Sequence, residues 1–180
     1  MEAKDIVDFW FAPESRDFWF RSTDEMDAAI RIRFQEIWRD ARDKRLDAWK
    51  ESAQGCLALV IILDQFPLNM FRNQPESFCT ESKAREISGY AMQQGYEQAL
   101  NTDEKMFLFL PFMHSENIHD QDVSVSLFEK AHMTDNLRWA QHHRDIIRKF
   151  GRFPHRNIIL GRENTPAEQE YLASKEAFLG

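Results

Sequence analysis

The sequence has little of what builds sheets or disulfide frameworks. Its 180 residues contain only six glycines, six prolines and two cysteines, and no long alternating run of β-branched residues supports a strand. Helix-forming residues dominate instead. Apolar residues make up 43% of the chain and include 15 Phe and 5 Trp, which is enough for one large core. The sequence therefore predicts a single all-α domain over residues 1–180.

Cysteines and long apolar runs are both scarce. Cys56 and Cys79 lie beside apolar residues, which predicts buried, reduced thiols in a cytoplasmic protein. The opening stretch, MEAKDIVDFWF, lacks the basic region and the uninterrupted apolar segment of a signal peptide. No apolar run approaches the ~20 residues of a membrane span, and Leu57–Leu63 reads as part of a buried helix. We expect a cytoplasmic protein with no membrane partner.

Basic residues are in the minority, yet they are concentrated in one stretch. The net charge of −7 argues against a broad nucleic-acid surface, so we expect no nucleic-acid partner. Between Arg138 and Arg162, however, seven Arg or Lys face one acid, Asp145, so this stretch carries +6 and the remainder carries −13. Either acidic neighbours within the fold complement this stretch, or it forms an anion-binding face.

Capping patterns and apolar periodicity predict eight helices. Ser22 to Glu25 reads as a capping box that opens a helix to about Arg42, and Thr165, Pro166 and Glu168 read as a second box that opens the final helix. Gly151 is expected to end the penultimate helix. Pro67 is expected to end the helix near 52–66. The other helices are expected near 4–11, 52–66, 80–98, 103–115, 121–131 and 135–150.

Three segments join aromatic stretches to a proline and then to ionisable or amide groups. They are Leu63–Arg72, Leu108–Glu116 and Phe150–Thr165. Burial of such polar groups costs several kcal/mol unless partners are built in. We therefore expect these three segments to form the working surface of the protein.

Asp64 is expected to be buried, because it lies on a helix that is apolar almost all round. A carboxylate near a helix C-terminus also opposes the helix dipole, so an arginine or histidine should meet it. His143 is the favoured partner, because it lies on the helix face made by Trp139, Ala140, Ile146, Ile147 and Phe150. Asp64 either completes an internal ion-pair network or orients a ligand, and His143 is either a satisfied core residue or a ligand contact.

The loop Gly151–Arg162 interleaves charged and apolar side chains. It carries Arg152, His155, Arg156, Asn157 and Arg162. Arginine forks suit planar carboxylates and phosphates, and the helix that starts at Thr165 adds a favourable potential for an anion. The alternative is that these arginines clamp the loop, capping its carbonyls and pairing with Asp64 or Glu116.

Metal and nucleophile motifs are weak. The run His114 to His119 (HSENIH) is not the HExxH spacing that puts two imidazoles on one helix face. Ser115 lacks a nucleophile elbow, and Cys56 lies in an apolar helix. The sequence therefore predicts no metal site and no cofactor.

Six stretches together resemble an uncharacterised bacterial family called domain of unknown function 924. They are DFWF at 8–11, DAW at 47–49, LDQFPLNMFR at 63–72, LFLPFMHSE at 108–116, DQDVSVSLF at 120–128 and the run 143–172. The resemblance implies a tetratricopeptide-like α/α superhelix and brings no activity, cofactor or catalytic residue. At Leu68 the chain departs from the arginine common in the family. The residues alone leave a closed bundle and a short α-solenoid open, because they show no clean 34-residue repeat.

The leading functional hypothesis is a binding module for an anionic small molecule or an acidic peptide. The rival is an enzyme that uses His114, Glu116 or His143 as general acid or base, and purely structural polarity is a third possibility. The N-terminal aromatics Phe9, Trp10, Phe11, Phe18, Trp19 and Phe20 could form a homodimer patch. The candidate ligand-binding residues are Asp64, Arg72, His114, Glu116, His143, Arg144, Arg152, His155, Arg156 and Asn157.

Overall fold

The computed structural model describes all 180 residues, and it contains helices and turns but no strand. The all-α prediction is therefore confirmed. By its internal contacts the chain divides into two compact units, the first made of Met1–Arg72 and Glu76–Pro111 and the second of Asn73–Pro75 and Phe112–Gly180. Two features stay predictions, namely a single domain and a tetratricopeptide-like superhelix.

The helices follow one another with short connections. In chain order they are α1 (Ala3–Phe11), α2 (Pro13–Arg16), α3 (Asp24–Arg42), α4 (Ala53–Val60), α5 (Phe66–Met70), α6 (Glu81–Gln93), α7 (Thr102–Met113), α8 (Ile118–Lys130), α9 (Thr134–Phe150) and α10 (Pro166–Leu172). Single 3₁₀ turns lie at Asp47–Glu51, Pro75–Phe78, Tyr96–Ala99 and Pro154–Arg156.

The most buried segment of the first unit runs from α4 into α5 through a π-helical turn, Ile61–Gln65. The expected end of this helix at Pro67 is wrong. The wider turn places the Phe66 N–H against the carbonyl of Ile61, and Pro67 falls in the first turn of α5, where a missing N–H leaves no hydrogen bond broken. The helical path therefore continues to Met70.

Side-chain caps set two of the other helix boundaries. The first capping residue is Thr23, not Ser22, because the Thr23 hydroxyl accepts from Met26 N at 3.2 Å while Ser22 donates to Asp27. At α10 the predicted box is confirmed, since the side chains of Thr165 and Glu168 each accept from the other's backbone N–H.

Left-handed glycines end two further helices. Gly151 has a φ of 71° and ends α9 as predicted. The helix expected over 80–98 is shorter, because α6 ends at Gln93 and Gly95, with a φ of 72°, turns the chain into the 3₁₀ turn Tyr96–Ala99.

Most N-terminal aromatics lie inside the first unit. Trp10 is buried and meets Phe66 and Phe107 edge to face, at ring-centroid distances of 5.7 and 5.5 Å. Trp19 packs on Phe107 at 4.7 Å, whereas Phe20 keeps 73% of its surface exposed. The homodimer stays a prediction. Of the six aromatics offered for its patch, one is buried (Trp10), one is exposed (Phe20) and the other four are half-buried.

The core of the second unit is formed by Ile146, Ile147 and Phe153, with α8 and α9 packed against one another. Ile118, Phe150, Tyr171 and Phe178 pack around this core while keeping part of their surface exposed. Phe178, which follows α10, thereby lies against His143 of α9.

Two expectations about exposure need correction. Cys56 is buried as expected, but Cys79 is exposed, because it lies in the turn between Phe78 and α6. Trp139 was placed on the apolar face of α9, yet 55% of it is exposed.

One helical segment, Ala53–Met70, is long and apolar enough to cross a membrane by length and composition alone. In the structure 78% of it is buried within the protein. A buried core helix meets the same criterion, so this is weak evidence for a span.

Candidate functional site

The connection between α9 and α10 is held by charged pairs. Arg152 donates to both carboxylate oxygens of Glu168, at 2.7 and 2.8 Å, and to the carbonyl of Glu163 at 2.8 Å. The hydrogen bond from Arg152 is the main reason that the pKa of Glu168 falls to about 2. Arg152 therefore fastens the loop to α10, and its fork is already filled by a carboxylate of the chain.

Arg162 makes the second clamp of the same loop. Its guanidinium donates to the Glu116 carboxylate at 2.7 and 2.9 Å and to the Asn157 side chain at 2.9 Å. Glu116 also accepts from the backbone N–H of Phe153 at 2.8 Å. Burial alone would raise the pKa of Glu116, but these donors together hold it below its usual value.

Asn157 completes that clamp. It is fully buried, and its amide donates to the Asn164 side chain at 2.7 Å while its oxygen accepts from Arg162. Asn157 also forms a side-chain hydrogen bond with Glu168 of α10, so it links the two clamped carboxylates.

His143 is a buried imidazole on α9. Its Nδ1 lies 2.8 Å from the carbonyl of Trp139, one turn earlier. Burial is the largest cause that lowers the pKa of His143 to about 3, and the neighbouring histidines 114, 142 and 155 lower it further. At neutral pH this imidazole is uncharged. Its expected pairing with Asp64 stays a prediction.

His155 lies close to His143 and carries a polar atom that the fold does not satisfy. Its Nδ1 is buried and has no hydrogen-bond partner. Burial and the charges of Arg156, Arg162 and His114 lower the pKa of His155 to about 4, while Glu116 opposes them. We call His114, His143 and His155 the imidazole cluster, because His114 and His155 both lower the pKa of His143 and His114 also lowers that of His155.

Arg156 follows His155 and points its guanidinium inward. Only 6% of this residue is exposed, and the guanidinium lies 4.8 Å from the centre of the Phe153 ring. Such stacking suits arginine, because its planar charge is weakly hydrated.

Two further basic residues of the second unit face an acid on another helix. Arg144 and Arg148 both lie near Asp122 on α8, at 3.5 and 3.3 Å. With the Arg152 and Arg162 pairs, four of the seven basic residues between Arg138 and Arg162 are thus paired with acids on other elements. For these four residues the first of the two alternatives that the charge pattern left open holds.

Two candidates, Asp64 and Arg72, belong to the first unit. Asp64 is 1% exposed, as expected, and accepts from the Gln65 side chain at 2.6 Å. Arg72 donates to both oxygens of Asp27, at 2.6 and 3.2 Å, and Asn69 donates to the same carboxylate at 2.7 Å. Arg72 therefore joins α3 to the end of α5 within that unit.

Comparison with known proteins places the chain by family. Residues 6–176 match the family described as bacterial protein of unknown function (DUF924). This protein belongs to the DUF924 family. A solved structure of a protein of unknown function from Agrobacterium tumefaciens is 41% identical and superimposes with a TM-score of 0.90, covering 95% of this chain and 96% of that one. The search among curated proteins found no match.

In this DUF924 protein, two of the three residues offered as general acid or base, His143 and Glu116, are poorly suited to that role. Proton transfer at neutral pH is most effective when the pKa of the group lies near 7. The pKa of His143 is far lower, and Glu116 is held ionised by Arg162 and by the Phe153 N–H. No group of three or more His, Cys, Asp or Glu side chains is arranged to hold a metal ion.

The sequence pattern missed one residue of the site, Phe178. Its ring centre lies 4.5 Å from that of His143 and 4.9 Å from that of His155. Phe178 stands beyond the last helix, where no periodicity predicts its direction. The sequence feature that could have indicated Phe178 was a single aromatic residue in a polar stretch.

Proposed function

We propose that this DUF924 protein is a binding module for an anionic small molecule or an acidic peptide, and that the ligand's anionic group meets the imidazole cluster at His155. The observation that carries the proposal is the buried Nδ1 of His155, which has no hydrogen-bond partner. A buried polar atom without a partner costs free energy. A ligand oxygen that accepts a hydrogen bond from this nitrogen would remove that cost.

The surroundings of His155 favour a negative ligand. Arg156 and Arg162 both disfavour a proton on this imidazole, and His114 acts in the same direction. Glu116 acts against them, but its two oxygens already accept hydrogen bonds from Arg162. An anion beside the ring would therefore find a favourable potential from several directions.

The proposal restricts the candidate residues to part of the original set. His114, His143, His155 and Arg156 form the ligand-facing group. Glu116, Arg152 and Asn157 shape the loop that presents this group, through the clamps described above. We further propose that the module acts in the bacterial cytoplasm on a tetratricopeptide-like scaffold; the family description supports the bacterial origin.

The test is thermal melting with phosphate, citrate, nucleotides and acidic peptides, at low and moderate salt. A ligand at about 100 times its dissociation constant should stabilise the wild-type protein by about 2.7 kcal/mol. His155→Leu should lose most of this stabilisation, whereas His119→Leu, at an exposed histidine on α8, should keep it.

The binding should also strengthen as the pH falls from 7 to 5. An anion beside His155 raises the pKa of the imidazole, so binding takes up a proton, which calorimetry in buffers of different ionisation enthalpy detects. The proposal is rejected if no anion raises the melting temperature of the wild type. If His155→Leu responds as the wild type does, the anion binds elsewhere.

A further inference from the structure

The side chains around Phe178 form an aromatic cage. The cage consists of Trp139, His142, His143 and His155, whose ring centres lie 6.3, 6.2, 4.5 and 4.9 Å from that of Phe178. The rings of the three histidines meet Phe178 edge to face. Four aromatic or imidazole walls around one benzyl group are a site built for a flat aromatic ring.

The segment that carries Phe178 is held by few contacts. Its hydrogen bonds are local, and they include Phe178 N to the Tyr171 hydroxyl at 2.9 Å and Ala177 N to Ser174 O at 3.4 Å. Lys175, Glu176 and Leu179 are exposed. Withdrawal of Phe178 from the cage therefore breaks few hydrogen bonds, although it loses the ring contacts and the packing of Phe178 on the core of the second unit.

The anchoring atom for a charged group lies at the wall of the same cage. The His155 imidazole stands at 89° to the Phe178 ring, and its buried Nδ1 lacks a partner. An aromatic ring seated in the cage would therefore place its substituent close to the His155 imidazole and to the nearby Arg156. A benzyl group alone uses the cage but leaves this nitrogen unsatisfied.

We propose that the aromatic cage is the binding site for an aryl anion, an aromatic ring bearing a phosphate or carboxylate, and that Phe178 occupies the ring position until such a ligand displaces it. This proposal rests on the proposed function, because it names the ligand class of the same site. Phe178 acts as an internal competitor, so its removal opens the cage without altering the residues that meet the anion.

The experiment is calorimetric titration with phenyl phosphate and with inorganic phosphate. The proteins compared are the wild type, Phe178→Ala and Leu179→Ala, the last changing an apolar side chain that is 70% exposed in the same segment. Phe178→Ala should bind phenyl phosphate about tenfold or more tightly than the wild type, and its affinity for inorganic phosphate should be unchanged. Leu179→Ala should behave as the wild type does.

A second measurement uses the unmodified protein and does not depend on the folding of a variant. Hydrogen exchange at the Phe178 amide should become faster when phenyl phosphate binds, because the segment leaves the cage and the bond to Tyr171 is lost. Inorganic phosphate should leave this rate unchanged.

The cage proposal is overturned if Phe178→Ala binds phenyl phosphate no more tightly than the wild type does. It is equally overturned if phenyl phosphate leaves the exchange rate unchanged. Either result, together with binding of inorganic phosphate that requires His155, would leave the proposed function standing. If neither anion binds the wild type or Phe178→Ala, both proposals fail.

Discussion

Arg162 holds Glu116 through two parallel hydrogen bonds, of 2.7 and 2.9 Å, across 46 residues of sequence. The carboxylate in turn accepts from the Phe153 N–H. Glu116, which follows α7, is thereby tied to both ends of the loop between α9 and α10. The loop owes its shape to this pair, so the pair is central to how His155 and Arg156 are presented.

Loss of this pair should destabilise the protein. Arg162 and Glu116 keep 23% and 27% of their side-chain surface exposed, so Glu116→Ala should lower the free energy of unfolding by about 1–3 kcal/mol, less than for a fully buried pair. Arg162→Lys, made separately in the wild-type protein, should keep only part of the stabilisation from the pair, because lysine cannot make the fork. Chemical denaturation measures both.

Asp122→Asn, at an exposed set of ion pairs, is the control and should change the free energy of unfolding by no more than about 0.5 kcal/mol. An equally small change for Glu116→Ala would contradict the clamp.

Arg152 should act as a fastener of its loop. Arg152→Ala removes three hydrogen bonds and leaves the buried Glu168 carboxylate without its fork. We expect the melting temperature to fall by at least about 3 °C, with Arg138→Ala, at an exposed residue of α9, as the neutral control. An unchanged or higher melting temperature would show that Arg152 is held ready for an external anion instead.

The stability should decrease on acidification because His143 is buried and uncharged. Its pKa is about 3 in the folded protein, against an ordinary value of 6.5, so the unfolded chain binds the proton more tightly. This contribution is fully present above pH 6.5 and is lost as the pH falls toward 3. Between pH 7.5 and 5 it amounts to about 2 kcal/mol.

Denaturation at a series of pH values measures this loss. His143→Phe should reduce the pH dependence over that range without abolishing it, because His155, with a pKa of about 4, contributes in the same direction; the variant also removes the bond to the Trp139 carbonyl. His119→Phe, at an exposed site, should leave the slope as it is. A His143→Phe protein with the wild-type slope would mean that another group controls the acid sensitivity.

Asp64→Ala should be among the more damaging substitutions in the first unit. Asp64 is 1% exposed, and its carboxylate accepts from Gln65 at 2.6 Å. If Asp64 also belongs to the expected buried ion pair, its removal strands the partner charge, at a cost of about 3–5 kcal/mol. Chemical denaturation checks this against Asp17→Ala, at an exposed aspartate. A change within about 0.5 kcal/mol at Asp64 would reject a buried pair.

Much of the local structure could be read from the sequence. The apolar repeat of α3, the Thr165 capping box and the glycine after α9 each depend on residues within one or two turns of helix, so they were predicted correctly. The π-helical turn before Pro67 was not predictable in this way. Whether a proline ends a helix or is absorbed depends on the packing on both sides of it.

The residues of the candidate site were likewise predictable from the sequence only in part. Residue types and their segments identified His155, Arg156 and Glu116 as candidates and left two roles open for the arginines. Only the tertiary contacts showed that Arg152 and Arg162 are already paired, because an ion pair between residues 46 apart depends on how elements pack.

The sequence by itself determined the helical class, most helix boundaries and the membership of the DUF924 family, since these follow from periodicity, caps and motifs. The tertiary structure decided which charges neutralise each other, left the His155 nitrogen without a partner and seated Phe178 among the imidazoles. Those outcomes depend on distances of a few ångströms between segments far apart in the chain. Local patterns cannot encode such distances, because they arise only when the helices pack.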